Sequence, residues 1–551
     1  MSRSGGHALV AGLERHGVDL AFCVPGESYL AALDGFYDSP IRLISCRHEA
    51  GAANMAEAYG KLTGRPGICL VTRGPGATHA SVGIHNAWQD STPMVLLAGQ
   101  VPRRLLGRDA FQEMDLGAVF GTTAKWVGQP LSADEVPEVV ARAFSEALRG
   151  RPGPVDVGLP EDVLDEQTGA PDAEPLDIQR PVPAEAELVW LRDLLAVAER
   201  PIVIVGEGGW NDAAARDVLA FCMANELPVA TSFRCQDYVD NRSRSYAGHL
   251  TIGADPRLAE RLAGADFVLA IGRLGDIATR GFTLVEAPAP RQTLVYAHPD
   301  DEELRRIYEP ELGIVSALPE FAAALRGLEP VDSSAWREWT AAARADYRDN
   351  LRHRPPSGNG VDLGEVMAFM RKRLPKDAIL ASGAGNFTTW AHRFYEFSRY
   401  GTQLAPQSGA MGYGVPAALA AKALHPDRLV ICLAGDGDFL MSGQELATAA
   451  QYELPIVVLV INNGMYGTIR MHQERLFPGR VVGTDLVNPD FVAYAQSFGA
   501  HAELAETNED VAPAFERAVE SGRPALIELR VDPEAISPRA TIRELREEAR
   551  R

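Results

Sequence analysis

The sequence lacks several features that mark particular protein classes. No apolar run approaches the roughly 18 residues that a membrane-spanning helix needs, and the start, "MSRSGGHALVAGLERHGVDL", is interrupted before a signal-like stretch can form. The six cysteines show no metal-ligand spacing. Basic residues number 53 against 74 acidic ones, which gives a formal charge of −21. We therefore expect a cytoplasmic protein that binds neither membrane nor nucleic acid, although a local basic pocket for an anion is compatible with this charge.

Length and patterning predict the fold class. A chain of 551 residues is too long for one ordinary core, and short β-branched runs alternate with Ala- and Leu-rich helical stretches. This pattern is typical of doubly wound α/β domains with parallel sheets. We predict three such domains and a tail, at residues 1–165, 184–330, 358–535 and 536–551. The segment "LDEQTGAPDAEPLDIQRPVPAEAE", rich in proline and acids, is predicted to be a linker. The polar, proline-containing segment "RADYRDNLRHRPPSGNG" leads to the third domain.

Two local patterns predict where helices begin. Ser442 and Glu445 have the spacing of a capping box and are expected to open the helix "GQELATAAQY". Thr541 and Glu544 repeat this spacing at the start of "TIRELREEARR". The second helix is expected to be a charged surface helix in the tail.

The stretch "AGDGDFLMSGQELATAAQYELPIVVLVINNG" contains two unusual turns. The first, at residues 435–437, follows the predicted strand "RLVICLA", and the second, at residues 462–463, follows the predicted strand "LPIVVLVI". Because ligands bind at the carboxyl edge of parallel strands, Asp436 and Asn463 are expected to lie side by side there. Glycines allow close approach to a phosphate, and carboxylate and amide oxygens suit Mg²⁺. The stretch therefore predicts a clamp for a metal ion and a diphosphate.

These two turns resemble the signature of thiamine diphosphate enzymes. By that resemblance Asp436, the side chain of Asn463 and the main-chain carbonyl of Met465 hold Mg²⁺. The family also needs a carboxylate that exchanges a proton with the pyrimidine ring of thiamine diphosphate. The segment "CRHEAGAANMAEAYGKLTGRPG" resembles the family's acidic segment and makes Glu49 the expected acid, with Glu57 as the rival carboxylate.

The resemblance also implies an organisation for the whole chain. The three domains would bind the pyrimidine, form a central layer and bind the diphosphate, in that order. In this family the cofactor lies between two subunits, so we expect a homodimer at minimum, with a homotetramer as the larger assembly. The expected substrates are small 2-keto acids.

Further segments resemble one branch of the family, the acetolactate synthases. "GPGATH" and "DSTPMVLLAGQVPRRLLGRDAFQEMD" correspond to the segments that place Phe111 and Gln112 at the active site. "SGAMGYGVPAA" corresponds to the segment in which the Gly409 carbonyl receives the cofactor's amino group and Met411 supports its bent form. The catalytic residues implied in this way are Glu49, Phe111, Gln112, Lys125 and His472. The implied cofactor pocket comprises Pro25, Gly26, Asn386, Gly409, Met411, Gly435, Asp436, Gly437, Asp438, Asn463, Met465, Tyr466 and Gly467.

The sequence departs from the family pattern at several positions. His472 stands where the biosynthetic enzymes have a tryptophan that helps to select 2-ketobutyrate, which leaves the choice of acceptor open. Asn386 and Phe387 replace a Gln-His pair, and Glu27 replaces a glycine. In "IGRLGDIATRG" three polar anchors of the flavin-containing relatives are missing or shifted, which disfavours bound FAD.

The predicted function is a carboligase that decarboxylates pyruvate or a related 2-keto acid and joins the two-carbon unit to a second 2-keto acid or an aldehyde. A decarboxylase or flavin-linked oxidase of 2-keto acids, and a non-catalytic thiamine-binding protein, are the alternatives. Ligation is favoured over release of an aldehyde because the first domain has no tandem pair of histidines near Glu49. Its histidines are His7, His16, His48, His79 and His85.

Overall fold

The computed structural model describes residues 2–353 and 360–550 and divides into two compact units. The first unit comprises Met1–Gln179, Val415–Pro426 and Ser442–Leu454, and the second comprises Arg180–Gly414, Asp427–Met441 and Pro455–Arg551. Three six-stranded parallel sheets confirm the predicted fold class. Within the described ranges, no helix combines the length and apolar character needed to cross a bilayer. The domain boundaries remain predictions, and residue 358, the predicted start of the third domain, lies outside the described residues.

The first unit contains one of these sheets. Its strands, in spatial order, are Arg42–Ser45, Leu20–Cys23, Gly67–Val71, Met94–Gln100, Pro154–Pro160 and Val127–Gly128. Its helices include Gly5–Arg15, Leu30–Tyr37, Glu49–Thr63, Gly74–Asp90, Leu116–Phe120, Val136–Leu148, Glu161–Asp165 and Leu446–Gln451, together with the main part of Gly414–Leu424. An antiparallel pair joins Arg3–Ser4 to Gln167–Thr168.

The second unit contains two sheets. The central one has the spatial order Tyr246–His249, Val229–Thr231, Pro201–Val205, Phe267–Ile271, Thr293–His298 and Leu312–Val315. Its helices are Glu185–Ala196, Asp212–Ala224, Pro256–Ala263, Asp276–Thr279, Asp301–Arg306, Leu318–Arg326 and Arg337–Asn350. The strand Pro201–Val205 is buried along its whole length, as expected for an apolar run covered on both faces.

The other sheet of the second unit carries the two turns singled out above. Its spatial order is Gln403–Leu404, Ile379–Ser382, Val430–Gly435, Val457–Asn462, Ala525–Arg530 and His501–Ala505. The helices around it are Leu363–Arg373, Thr388–Phe394, Asp436–Phe439, Gly467–Leu476, Phe491–Ser497, Asn508–Glu520 and Ile542–Glu548. The last of these begins with the predicted capping box of Thr541 and Glu544.

The polar segment that leads to the third predicted domain is partly helical. The helix Arg337–Asn350 runs into the segment "RADYRDNLRHRPPSGNG", and Trp336 and Tyr347 are buried in the core of the central sheet. The segment is thus helical up to Asn350, and its residues 354–359 lie outside the described residues. Most positions of this helix are polar, so the sequence pattern did not reveal the few apolar positions, including Ala343 and Tyr347, that are buried.

Candidate active site

The two predicted turns lie at neighbouring strand ends. The strands Val430–Gly435 and Val457–Asn462 pair in parallel, with Gly435 opposite Ile461. Asp436 and Asn463 are therefore the first residues beyond the same edge of the sheet, as the sequence predicted. Their roles in binding remain predictions.

The Asp436 side chain is buried and held by surrounding amides. Its Oδ2 accepts hydrogen bonds from the Gly464 backbone N–H and the Asn488 side-chain amide, each at 2.8 Å, and its Oδ1 accepts from the Gly437 N–H at 2.9 Å. Burial raises the pKa of Asp436, although these hydrogen bonds oppose the shift. The carboxylate is thus fixed in position while it carries an electrostatic cost that a nearby cation would relieve.

The second turn adds further oxygen atoms at this edge. The Asn463 Oδ1 accepts a hydrogen bond from the Met465 backbone N–H at 3.1 Å, which fixes the side-chain amide. Asn462 has a different role, because its side-chain amide donates to Glu528 at 2.8 Å. A carboxylate, an amide oxygen and a main-chain carbonyl form the hard donor set that Mg²⁺ prefers, so the residues present fit the expected ion.

A cavity of about 370 Å³ opens at this edge, and we call it the cofactor cavity. It is lined by every cofactor residue that was predicted within the second unit. These are Asn386, Gly409, Met411, Gly435, Asp436, Gly437, Asp438, Asn463, Met465, Tyr466 and Gly467. Residues far apart in the chain thus meet in one space. A Cβ at Gly437 would lie 2.5 Å from the Tyr466 ring, so a larger residue would disturb this wall.

Asp438 anchors two loops of the cofactor cavity. It is buried, and its Oδ1 accepts hydrogen bonds from the Gly412 N–H at 2.7 Å and the Ala384 N–H at 3.4 Å. Burial raises its pKa to about 7. Its contacts anchor the loops that carry Met411 and Asn386.

Sequence reasoning missed the part of the cavity wall that comes from the central sheet. Phe233 and Arg234, which follow the strand Val229–Thr231, line the cofactor cavity. The Arg234 guanidinium donates to the carbonyls of Pro406 and Gly383. No motif marks this arginine, and its left-handed backbone (φ +60°) has no clear sequence signal.

Glu49 lies in the first unit, at the start of the helix Glu49–Thr63. His48 caps this helix, with its Nδ1 accepting from the Ala50 N–H at 3.1 Å. The Glu49 Oε2 lies 2.9 Å from Nδ1 of His79, and the rings of His79 and His48 stack at 4.6 Å. Two histidines separated in sequence therefore meet beside Glu49. The inference that no histidine pair lies near this acid was wrong, because the helix Gly74–Asp90 packs against Glu49–Thr63.

The predicted capping box of Ser442 and Glu445 does not form. Ser442 makes no side-chain capping bond, and a 3₁₀ turn, Gly443–Glu445, precedes the helix Leu446–Gln451. The fully buried Glu445 instead accepts from the backbone N–H groups of Arg47, at 3.1 and 3.2 Å, and His48, at 3.0 Å. The carboxylate thus holds the backbone just before Glu49.

The rival carboxylate, Glu57, is fully buried inside the same helix as Glu49. It accepts a hydrogen bond from the Thr92 hydroxyl at 2.9 Å. These contacts indicate a structural role.

The remaining predicted residues of the first unit lie in separate loops. Pro25 and Gly26 lie between the strand Leu20–Cys23 and the 3₁₀ turn Glu27–Tyr29. Phe111 is 77% exposed, and the Gln112 carbonyl accepts from the Gly74 N–H at 3.0 Å. The Lys125 ammonium donates to the carbonyl of Arg149.

His472 lies on the helix Gly467–Leu476 in the second unit. Its side chain is exposed, whereas Thr468 and Ile469, one turn earlier, line the cofactor cavity. Positions four apart share a helix face, so His472 continues the face that Thr468 begins. Its predicted role in acceptor choice stays a prediction.

The ligand crevice of the central sheet does not suit a dinucleotide. Glu207 follows the strand Pro201–Val205, and Arg273 follows Phe267–Ile271. The Arg273 guanidinium lies 3.4 Å from carboxylate oxygens of both Glu207 and Glu303, and both acids are buried. Glu207, just beyond a strand end, and Glu303, on the helix Asp301–Arg306, therefore place two carboxylates beside Arg273, near the strand ends where a dinucleotide pyrophosphate is expected in such sheets. Such an acidic surrounding is unfavourable for the pyrophosphate of FAD.

Comparisons with known proteins agree with this geometry. Three models of the thiamine pyrophosphate enzymes match the chain: the N-terminal TPP binding domain at residues 3–119, the central domain at 189–325 and the C-terminal TPP binding domain at 383–529. The chain belongs to the thiamine pyrophosphate enzyme family, and thiamine diphosphate is its cofactor.

Within this family the chain is similar to acetolactate synthases. It is 34% identical to the acetolactate synthase large subunit of Corynebacterium glutamicum, over 97% of this chain and 87% of that protein. It is 33% identical to the large subunit of Parasynechococcus marenigrum, over 96% and 87%, and 29% identical to the isozyme 2 large subunit of Escherichia coli, over 96% of both. This similarity supports a thiamine diphosphate-dependent carboligase over the alternatives considered above.

Proposed function

We propose that the chain decarboxylates pyruvate, or a closely related 2-keto acid, and joins the two-carbon unit to a second 2-keto acid or an aldehyde. The observation that carries this proposal is the cofactor cavity, where the predicted residues of the second unit converge. When bound, thiamine diphosphate supplies an electron sink for the decarboxylation. The residues of the protein would hold the metal ion and the proton that the pyrimidine ring exchanges.

In the second unit, Asp436, the Asn463 amide oxygen and the Met465 carbonyl would hold Mg²⁺ against the diphosphate. The hydrogen bonds from Gly464 and Asn488 fix the Asp436 carboxylate before the ion binds. Such pre-organisation lowers the cost of ordering the ligands.

In the first unit, Glu49 would hold the proton that the pyrimidine ring exchanges. Its carboxylate is mostly buried, with the side chain 13% exposed, and His79 keeps it in place through the 2.9 Å contact. The Glu445 carboxylate fixes the backbone of Arg47 and His48 immediately before it. A full site in this family needs two subunits, so a homodimer is the smallest active assembly we propose.

We further propose that the enzyme works without a flavin. Glu207 and Glu303 both contact Arg273 at this crevice, and the net negative charge of the three groups would repel a pyrophosphate. The purified protein should show no flavin absorption after denaturation. Release of one flavin per chain would contradict this proposal.

Release of a free aldehyde is the second candidate function. It is favoured by the pairing of His48 and His79 beside Glu49, because two imidazoles there offer proton donors that the sequence did not reveal.

Product analysis tests both functions. The purified protein, supplied with thiamine diphosphate and Mg²⁺, is incubated with a panel of 2-keto acids alone and in pairs. Acetolactate or a related hydroxy-keto product from pyruvate supports the carboligase. Acetaldehyde without a ligation product supports the decarboxylase, and no consumption of any 2-keto acid contradicts both.

A further inference from the structure

A second cavity, of about 140 Å³, adjoins the cofactor cavity within the second unit, and we call it the arginine cavity. The two cavities share wall residues, among them Asn386, Thr389 and His392. Most of its inner surface is apolar, with contributions from Leu258 and Met471. The carboligase reaction assigns no role to this space.

Two guanidinium groups converge at one side of the arginine cavity. Arg393 donates from Nε to the Asn350 carbonyl and from Nη1 to the Pro538 carbonyl, both at 2.9 Å. Arg539 donates from Nη2 to the side-chain oxygen of the same Asn350 at 2.9 Å. Every one of these acceptors is neutral, and an arginine has five N–H donors, so both groups retain donors for a further ligand.

The acidic residues of the cavity are engaged by other arginines. The Arg257 guanidinium contacts Asp255 at 3.0 Å, Asp346 at 3.4 Å and Asp349 at 3.1 Å. Arg261 forms a second ion pair with Asp346 at 2.5 Å. The carboxylates near the cavity are therefore already paired.

Arg393 and Arg539 differ from those two arginines. Among the residues that the structure describes, neither forms an ion pair within 4.0 Å. Burial, and then the charge of Arg539, lower the pKa of Arg393 to about 10. Arg393 is half-buried and Arg539 is exposed. The charge of Arg539 thus disfavours the charge of Arg393, and an anion between them would remove that cost.

We propose that the arginine cavity is a second ligand site, which binds a small organic anion. Its carboxylate or phosphate would meet the guanidiniums of Arg393 and Arg539, and its apolar part would lie against Leu258 and Met471. Arginine is suited to this task because its planar fork matches carboxylate and phosphate oxygens. The competing explanation is that both arginines only tie the C-terminal segment to Asn350 through neutral hydrogen bonds.

Calorimetric titration of the protein loaded with thiamine diphosphate and Mg²⁺ distinguishes these explanations. The bound cofactor fills the diphosphate clamp, so that added anions do not bind there. Butyrate probes a carboxylate with an apolar chain, and inorganic phosphate probes charge alone. We expect saturable binding of butyrate, of phosphate or of both, and the tighter probe identifies the ligand class.

Substitutions locate the bound anion. Arg393→Gln and Arg539→Gln should each weaken the binding roughly 10- to 100-fold, the effect of losing one hydrogen bond to a charged group. Arg291→Gln is the matched control, because this exposed arginine pairs with Glu286 and does not line the cavity. If Arg393→Gln does not fold, the anion binding of Arg539→Gln decides alone, because Arg539 is exposed. Absence of binding by both probes, or binding that is unchanged in the folded arginine variants, would overturn the proposal whether or not the chain has carboligase activity.

Discussion

The hydrogen bonds of Glu445 predict that this residue supports the backbone before Glu49 in the first unit. Its Oε1 accepts from the N–H groups of Arg47 and His48, and its Oε2 accepts from the Arg47 N–H and the Thr448 hydroxyl, the latter at 2.5 Å. This carboxylate is fully buried. Its removal should disturb the backbone that ends at Glu49.

The magnitude depends on the replacement. Glu445→Ala leaves two backbone donors and one hydroxyl without their acceptor, and each unsatisfied buried group costs about 1–3 kcal/mol. The total is about 3–5 kcal/mol, since the surroundings relax in part and the desolvation cost of the carboxylate, which raises its pKa, disappears. Glu445→Gln keeps one oxygen at the position of Oε1, and the Thr448 hydroxyl can accept from the new amide. Only the second contact with Arg47 is lost, so we expect a cost of about 1 kcal/mol.

Thermal unfolding and steady-state kinetics measure these effects. Glu445→Ala should lower the first unfolding midpoint clearly and reduce kcat/KM for the 2-keto acid roughly 10- to 100-fold, because a small displacement of a catalytic group has effects of that size. Glu445→Gln should lie close to the wild type. Glu14→Ala, at an exposed acid of the same unit, is the control. The reasoning fails if Glu445→Ala matches this control in both measurements.

Four further predictions follow from the geometry. Glu49→Gln should retain cofactor binding and lose most turnover, so near-normal turnover would contradict its role. Asp436→Ala should abolish the Mg²⁺ dependence of cofactor affinity, and affinity unchanged by a chelator in the wild type would argue against the clamp. Burial raises the pKa of Asp156 to about 8 from its ordinary value of 3.8, so the stability of the wild type should fall as pH rises between these values. Asp156→Asn should flatten this part of a pH series of unfolding midpoints. An unchanged slope in the variant would contradict this prediction. His472→Trp should shift products toward those made from 2-ketobutyrate, by a factor corresponding to about 1–3 kcal/mol, and a product ratio indifferent to the change would refute the acceptor role.

The sequence predicted the second unit's contribution to the site better than the first unit's. Asp436 and Asn463 follow apolar strands that neighbour each other in a parallel sheet, so local patterns were enough to place them together. Arg234 could not be predicted in this way, because its position in the cofactor cavity depends on how the loop after Val229–Thr231 packs. The pairing of His48 and His79 likewise depends on the packing of two helices, which sequence spacing does not reveal.

Glu445 shows why a correct local pattern gave a wrong prediction. Its spacing from Ser442 is that of a capping box, which satisfies backbone donors at the start of the same helix. The N–H groups of Arg47 and His48, which precede another helix, have the same need for an acceptor. A fully buried carboxylate needs hydrogen-bond donors to offset its desolvation, and these distant N–H groups supply them, whereas water can replace a cap at a helix end. The local rule therefore fails where a buried carboxylate supports the segment that presents Glu49, and such failures are expected next to a residue with the catalytic role that we propose for Glu49.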